Sequence, residues 1–332
     1  MEQRDIELEL LAPAFLGDAN QYAAWRTPPI KNLLRRWWRV AMAARGMRLA
    51  DIRYDEGRLF GTAAGNSGER SRVRLRLAEW RKGYEAQWRE PTGSGRQRRG
   101  LDTQTIRYLA YGRAETTGAN NSAIPAGERA RLSLAWPKDC PGAEALPDAL
   151  GLLHRLGALG GRSNNGWGSC DLVNLPEPKP DLRDFARDWE KALTEPWVHA
   201  VGRDETGLLL WETTASHSSW DGVMRVLAEV RKALCADAGP LRPLLSWPVT
   251  GTERHGGLAS RSGDRIPNTL RLRVARTDEN ELRGQVCHLP CRPADEIWTE
   301  KLTEQDHRDF PELWRKAHKL LDDREDLRRV SQ

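Results

Sequence analysis

The sequence predicts an α+β fold in two parts. Strand-like alternation and helical periods are mixed within each half, rather than repeating strand–helix–strand in the manner of a doubly wound sheet. A proline-rich stretch, PEPKPD (176–181), interrupts regular structure near the middle of the chain. A length of 332 residues also exceeds what one small core organises, so two domains are expected, 1–175 and 176–332.

Taken in order, Ile6, Leu8 and Leu10 alternate with Glu7 and Glu9, the pattern of a half-buried strand. In RTPPIKNLLRRWWRVAMAAR, Thr27 is placed to cap a helix and Pro28 to begin it. Ile30, Leu33, Leu34, Trp37, Trp38 and Ala41 make its apolar stripe, and Gly46 is the expected stop. Lys31, Arg35 and Arg39 fall four apart and line a second face, with Arg36 nearby. GRLFGTAAGNSG (57–68) reads as a glycine-rich turn region. Val73, Leu75 and Leu77 alternate with Arg72, Arg74 and Arg76, giving a strand with one basic face. PTGSGRQRRG (91–100) reads as a basic loop. Leu132, Leu134 and Trp136 mark another strand, 147–156 a helix, and SCDLVNL (169–175) a strand. Beyond the prolines, DLRDFARDWEKAL and HSSWDGVMRVLAEVRKALCADAG have helical period. TLRLRVAR and LRGQVCHLP read as strands joined by TDENE, and FPELWRKAHKLLDD closes as a helix.

Composition narrows the function classes. Fourteen tryptophans argue for packed cores. No run of 18 apolar residues and no basic-then-apolar start is present, so neither a membrane span nor a signal peptide is expected. Five scattered cysteines do not suggest a disulfide framework, which fits a cytoplasmic setting. The net charge of +5 hides an asymmetry. Residues 21–113 hold 21 Lys and Arg against 8 Asp and Glu, so the remainder is net acidic. A basic region this concentrated points to a polyanionic partner.

LGALGGRSNNGWGS (156–169) carries five glycines between a helix and a strand. Gly161 and Gly166 are spaced like the outer glycines of a Walker A loop, but Trp167 stands where the lysine belongs and the strand follows instead of preceding. No dinucleotide fingerprint is present either, and no cofactor is expected. Two uses remain open at this point: close packing in a long turn, or a loop laying Arg162, Ser163, Asn164 and Asn165 against phosphate or 2′-hydroxyl oxygens.

These residues resemble a known family. The glycine stretch between helix and strand is similar to the glycine-rich loop of the RAMP superfamily of CRISPR-associated proteins. LLAPAFLGDANQ followed by RTPPIKNLLRRWWR resembles the opening of the first subunits of Cmr complexes, the type III-B effectors. Arg26, Pro28, Ile30, Lys31, Leu34, Arg35, Trp37, Trp38 and Arg39 occupy the matching places. TIRYLAYG (105–112) carries a weaker likeness, and the family loop commonly has basic residues where this chain has Asn164 and Asn165.

The resemblance implies two tandem ferredoxin-like domains, related to the RNA-recognition motif, with insertions. It also implies a non-catalytic subunit near the 3′ end of a guide RNA, aiding target RNA engagement, with guide RNA, target RNA and other Cmr subunits as partners. The RNA-contacting residues expected are Lys31, Arg35, Arg36 and Arg39 on the helix, and Gly160, Gly161, Arg162, Ser163, Asn164, Asn165, Gly166 and Trp167 in the loop, with Trp167 presented to a base. Arg96, Arg98 and Arg99 would add diffuse attraction. Two rivals stand beside this reading. One is an RNA-processing endonuclease using His154 or His255 as general acid or base; separately, the family resemblance makes Asp18, in an early loop, a candidate acid for cutting target RNA. The other is a scaffold that meets only protein. Cys287, His288 and Cys291 lie close together, but with no second cluster they are expected to be core residues, not metal ligands.

Overall fold

A computed structural model describes residues 1–18, 20, 22–62, 68–79, 104–110, 122–176, 179–249, 252–259 and 263–330. The basic loop with Arg96, Arg98 and Arg99 lies outside the described residues.

The first half runs β1 (Glu2–Leu10), α1 (Thr27–Ala44), α2 (Leu49–Phe60), β2 (Arg74–Leu77), α3 (Gln104–Leu109), β3 (Arg129–Trp136), α4 (Leu146–Leu156) and β4 (Cys170–Leu172). Its strands pair antiparallel in the order β2-β3-β1-β4. With α1 and α4 packed on one another over the sheet, this is the βαββαβ plan of a ferredoxin-like domain, α2 and α3 being insertions. Ile6, Leu8 and Leu10 point under these helices, as the alternation requires, and meet Leu34, Trp38 and Leu153 in one core.

The second half repeats the plan. β5 (Leu210–Thr213), α5 (Trp220–Asp237), β6 (Leu270–Arg276), β7 (Leu282–His288), α6 (Glu304–Asp322) and β8 (Leu327–Arg329) form an antiparallel sheet in the order β6-β7-β5-β8. Leu270, Leu272, Val274 and Val286 face α5 and α6; the alternate residues of these strands face the first half. A small sheet of Ala186–Asp188, Val201–Asp204 and Gly207–Leu208 lies between the two in sequence. The cores cross the midpoint of the chain. Leu210, Cys287 and Leu289 join the first-half cluster, while Leu11, Phe15, Ile106 and Trp167 join the second.

Three local expectations change. Thr27 is the first helical residue and Arg26 takes the cap position without a side-chain cap, because the paired prolines already fix the entry. Residues 57–60 are not turn but the last turn of α2, which buries Ile52, Glu56, Leu59 and Phe60. DLRDFARDWEKAL is not one helix. It breaks into a 3₁₀ turn, a short strand and a single helical turn; the 3₁₀ turn and the helical turn are each opened by an aspartate whose carboxylate accepts a backbone N–H, Asp181 from Arg183 and Asp188 from Lys191.

Candidate nucleic-acid interface

Three segments converge at the start of α1. The turn Phe15–Gly17, the helix residues Pro28, Pro29, Asn32, Leu33 and Arg36, and the glycine loop from Ala158 to Gly160 with Ser163 line a cleft of about 410 Å³, with Arg26 at its side. Arg26 donates to the carbonyl of Gly17, and Gly161 N–H donates to Phe15 O at 2.8 Å, tying helix, turn and loop together. Gly160 has φ +87°, and a Cβ there would stand 2.6 Å from the carbonyl oxygen of Phe15. Only glycine lets the two backbones approach so closely.

The basic residues of α1 do not act as one face. Arg35 and Arg39 both donate to Oε1 of Glu56 on α2, a carboxylate that is 3% exposed, and the Arg39 contact is 2.7 Å. Arg39 also lies over the ring of Trp197. Their charges are thus met within the protein, and they are withdrawn from the principal RNA-contact set. Lys31 is half-buried, and desolvation, followed by the charge of Arg35, holds its ammonium below the usual pKa. Arg36 is the exposed cation in the cleft. Its stem stands among protein atoms, so desolvation first and Arg39 next lower its pKa.

The glycine loop divides in the same way. Its first part faces the cleft, with Arg162 exposed and held at φ +60°, an uncommon backbone for a non-glycine residue. Its second part is docked on the other half of the chain. Asn164 O accepts from Leu272 N–H at 2.9 Å, and its side-chain amide donates to Asn268 O at 3.0 Å. The Asn165 amide donates to Leu109 O at 3.1 Å. Gly166, at φ +91°, leaves no room for a Cβ against Met224 of α5. Trp167 is fully buried between Phe15 and Trp220, at ring distances of 4.9 and 5.8 Å. It is a core residue, not a platform for a base, and Asn164, Asn165 and Gly166 serve the seam between the halves. The absence of charge at Asn164 and Asn165 follows: lysine or arginine would bury a cation where an amide fits.

The candidate catalytic residues are likewise occupied. His154 Nδ1 accepts from Leu172 N–H at 3.2 Å, and burial lowers its pKa, opposed by Asp171. His255 pairs with Asp306, a member of the box that caps α6. Asp18 accepts from the N–H groups of Asn20 and Tyr22, closing its own turn. Cys287 and Cys291 are buried thiols pushed up to about 12 by desolvation, and His288 bonds to His318 at 2.9 Å. Among the described residues no group of three or more His, Cys, Asp or Glu is placed to hold a metal ion. No described helix is long and apolar enough to cross a membrane.

Sequence reasoning missed Glu56, whose helix carries Gly57 and Gly61 close behind it and so reads as a turn. It also passed over Arg26 and Asn32 as cleft residues, although Arg26 opens the helix motif.

The fold has solved counterparts. The chain is similar to the crystal structure of Cmr1 from Pyrococcus furiosus in its apo form, with a TM-score of 0.52 and 15% identity, over 94% of this chain and 97% of that one. It is also similar to a chain in a cryo-EM structure of the type III-B Cmr-beta bound to cognate target RNA and AMPPnP, with a TM-score of 0.48 and 12% identity, over 86% and 93% of the two chains. No protein-family model matches the sequence. No curated protein matches it either. The first likeness runs nearly end to end, so the chain has a Cmr1-like fold.

Proposed function

We propose that this chain is a non-catalytic RNA-binding subunit of a type III-B effector, with guide RNA, target RNA and other Cmr subunits as its partners in the cytoplasm. The observation that carries the reading is the cleft in which Arg36, the turn Phe15–Gly17, and Gly160 and Ser163 of the glycine loop meet. A guanidinium flanked by glycine backbone suits a sugar-phosphate chain, because it offers charge without side chains that would hold the strand away. Lys31, Arg36 and Arg162 supply the cations, Gly160, Gly161 and Ser163 the close surface. Arg35 and Arg39 contribute only after leaving Glu56. The domains we propose, 1–175 and 176–332, each contain one βαββαβ unit, and the residues lining the cleft lie in the first.

Filter binding of the full chain to single-stranded RNA over a salt series tests this. Affinity should fall steeply with salt. Arg36→Ala should weaken binding about tenfold and reduce the log–log salt slope by about one. Arg35→Ala should do much less. Equal losses for the two variants would remove the cleft from the reading, and RNA cleavage abolished by His154→Ala would overturn the non-catalytic assignment.

A further inference from the structure

A second cleft, of about 620 Å³, lies on the face of the second sheet that is not covered by α5 and α6. Its floor is a row of polar residues in register across all four strands. Arg273 on β6 is opposite Gln285 on β7, Gln285 is opposite Glu212 on β5, and Glu212 is opposite Arg328 on β8. The inner part of the row is fixed. Arg273 donates to the carbonyls of His154 and Cys170 at 2.8 and 3.0 Å and to Asp171 at 2.6 Å, and Gln285 donates to Glu212 at 2.8 Å. Of the other cations lining the cleft, Lys179 pairs with Asp278, Arg276 with Glu9, and Arg155 lies in the field of Glu212 and Asp278, whereas Arg283 and Arg328 are not engaged. Among the described residues Arg328 has no ion pair or hydrogen bond through its guanidinium. Arg283, two residues before Gln285 on the same face, has none either, and its Nε is shielded from solvent without a partner. Such a donor is costly to leave unmet. Two strand spacings of about 4.8 Å and an offset of two residues along the strand put the Cα atoms of Arg283 and Arg328 roughly 12 Å apart, with Glu212 on the strand between them.

Two unengaged guanidiniums around one carboxylate match a ligand with both an anionic group and hydroxyl donors. A long phosphate chain is a poor match, since Asp278 and Glu279 also line the cleft. The volume falls within the range of small-ligand sites. We infer that this cleft binds a ribonucleoside phosphate, its phosphate on Arg283 and Arg328 and its ribose hydroxyls on Glu212. The site is separate from the RNA-binding cleft at α1 and does not rest on it.

The test is calorimetric titration of the full chain with AMP, dAMP, adenosine and inorganic phosphate. AMP should bind at one site per chain, more tightly than dAMP, adenosine or phosphate. Arg328→Gln and Arg283→Gln should each weaken AMP about tenfold. Glu212→Gln should weaken AMP while leaving dAMP nearly unchanged. Arg328 is exposed, so its variant tests the site even where Arg283→Gln disturbs the fold. No saturable AMP binding, phosphate bound as tightly as AMP, or AMP binding indifferent to both arginine variants would each overturn the inference. Arg36→Ala should leave AMP binding intact while weakening RNA; loss of both would refute two separate sites, whereas loss of RNA binding alone leaves this one standing.

Discussion

At the scale of single residues, burial decides which groups are available for chemistry. His288 and His318 form a hydrogen-bonded pair packed among Trp189, Trp211 and Trp314. Desolvation lowers both, His318 to about 4, with Asp204 and Asp322 opposing and Arg329 assisting. Their ordinary pKa is 6.5, so between that value and about 4 the unfolded chain binds more protons than the folded one. The stability is therefore complete above pH 6.5 and declines as pH falls through this window, by up to about 3 kcal/mol for His318. Urea unfolding at pH 7 and pH 5 should show the loss, and His318→Gln should flatten the pH dependence. An unchanged slope in that variant would place the acid sensitivity elsewhere. Trp167 teaches the same lesson from sequence. A tryptophan between glycines in a loop looks presented to solvent, but its neighbours Phe15, Trp220 and Met224 come from distant segments that local pattern does not reveal.

At the scale of elements, α1 is defined by what packs beside it. Its apolar stripe was legible because a 3.6-residue period is a local property, and Ile30, Leu33, Leu34, Trp37 and Trp38 are all buried. The fate of its cations was not legible, since that depends on α2. Glu56 collects Arg35 and Arg39 into one charge cluster, which orients both guanidiniums and reduces the field they offer a polyanion. Glu56→Gln should lower stability by about 1–3 kcal/mol, because two charge-assisted bonds become weaker ones. It should also raise RNA affinity at low salt, since Arg35 and Arg39 remain about one-third exposed. Thermal melting and RNA titration of the same variant check both effects. RNA affinity that stays at the original level would mean that these arginines lie away from the strand's path.

At the scale of the whole molecule, the two sheets share one seam. Arg273 is its main polar fastener, reaching from β6 to the carbonyls at the end of α4 and to Asp171 on β4. It is 3% exposed, so removing it takes from Asp171 its 2.6 Å ion pair, leaving it Arg276 at 3.7 Å, and takes a buried donor from the carbonyls of His154, Cys170 and Gly157. Arg273→Ala should cost about 3–5 kcal/mol in chemical denaturation, whereas a leucine or methionine that refills the volume should cost less only if Asp171 is changed to an uncharged residue as well. A loss under about 1 kcal/mol for the alanine variant would mean that Arg273 does not fasten the halves. The neighbouring Arg271 lies over the ring of Trp37 and lacks hydrogen-bond partners at Nε and Nη1; burial brings its pKa down to about 9. Two alternate arginines in one strand, read as LRLRV, gave no hint that they would point into a dry interface.

Much was settled by the chain alone. Alternation and helical period located the strands and helices of the first βαββαβ unit, and both helices and the strands Leu270–Arg276 and Leu282–His288 of the second, because these depend on residues within a turn or two of one another; the short strands Leu210–Thr213 and Leu327–Arg329 were not located. The glycine loop and the early helix also stood out as a candidate site from their own residues. Which members of that site face solvent was decided only by tertiary packing. Arg36 stayed in the cleft while Arg35 and Arg39 went to Glu56, and Arg162 stayed out while Asn164, Asn165 and Trp167 were drawn into the seam. The physical reason is that a side chain's charge and amide groups go to whichever partner lowers the cost of burial, and those partners lie up to about a hundred residues away in sequence.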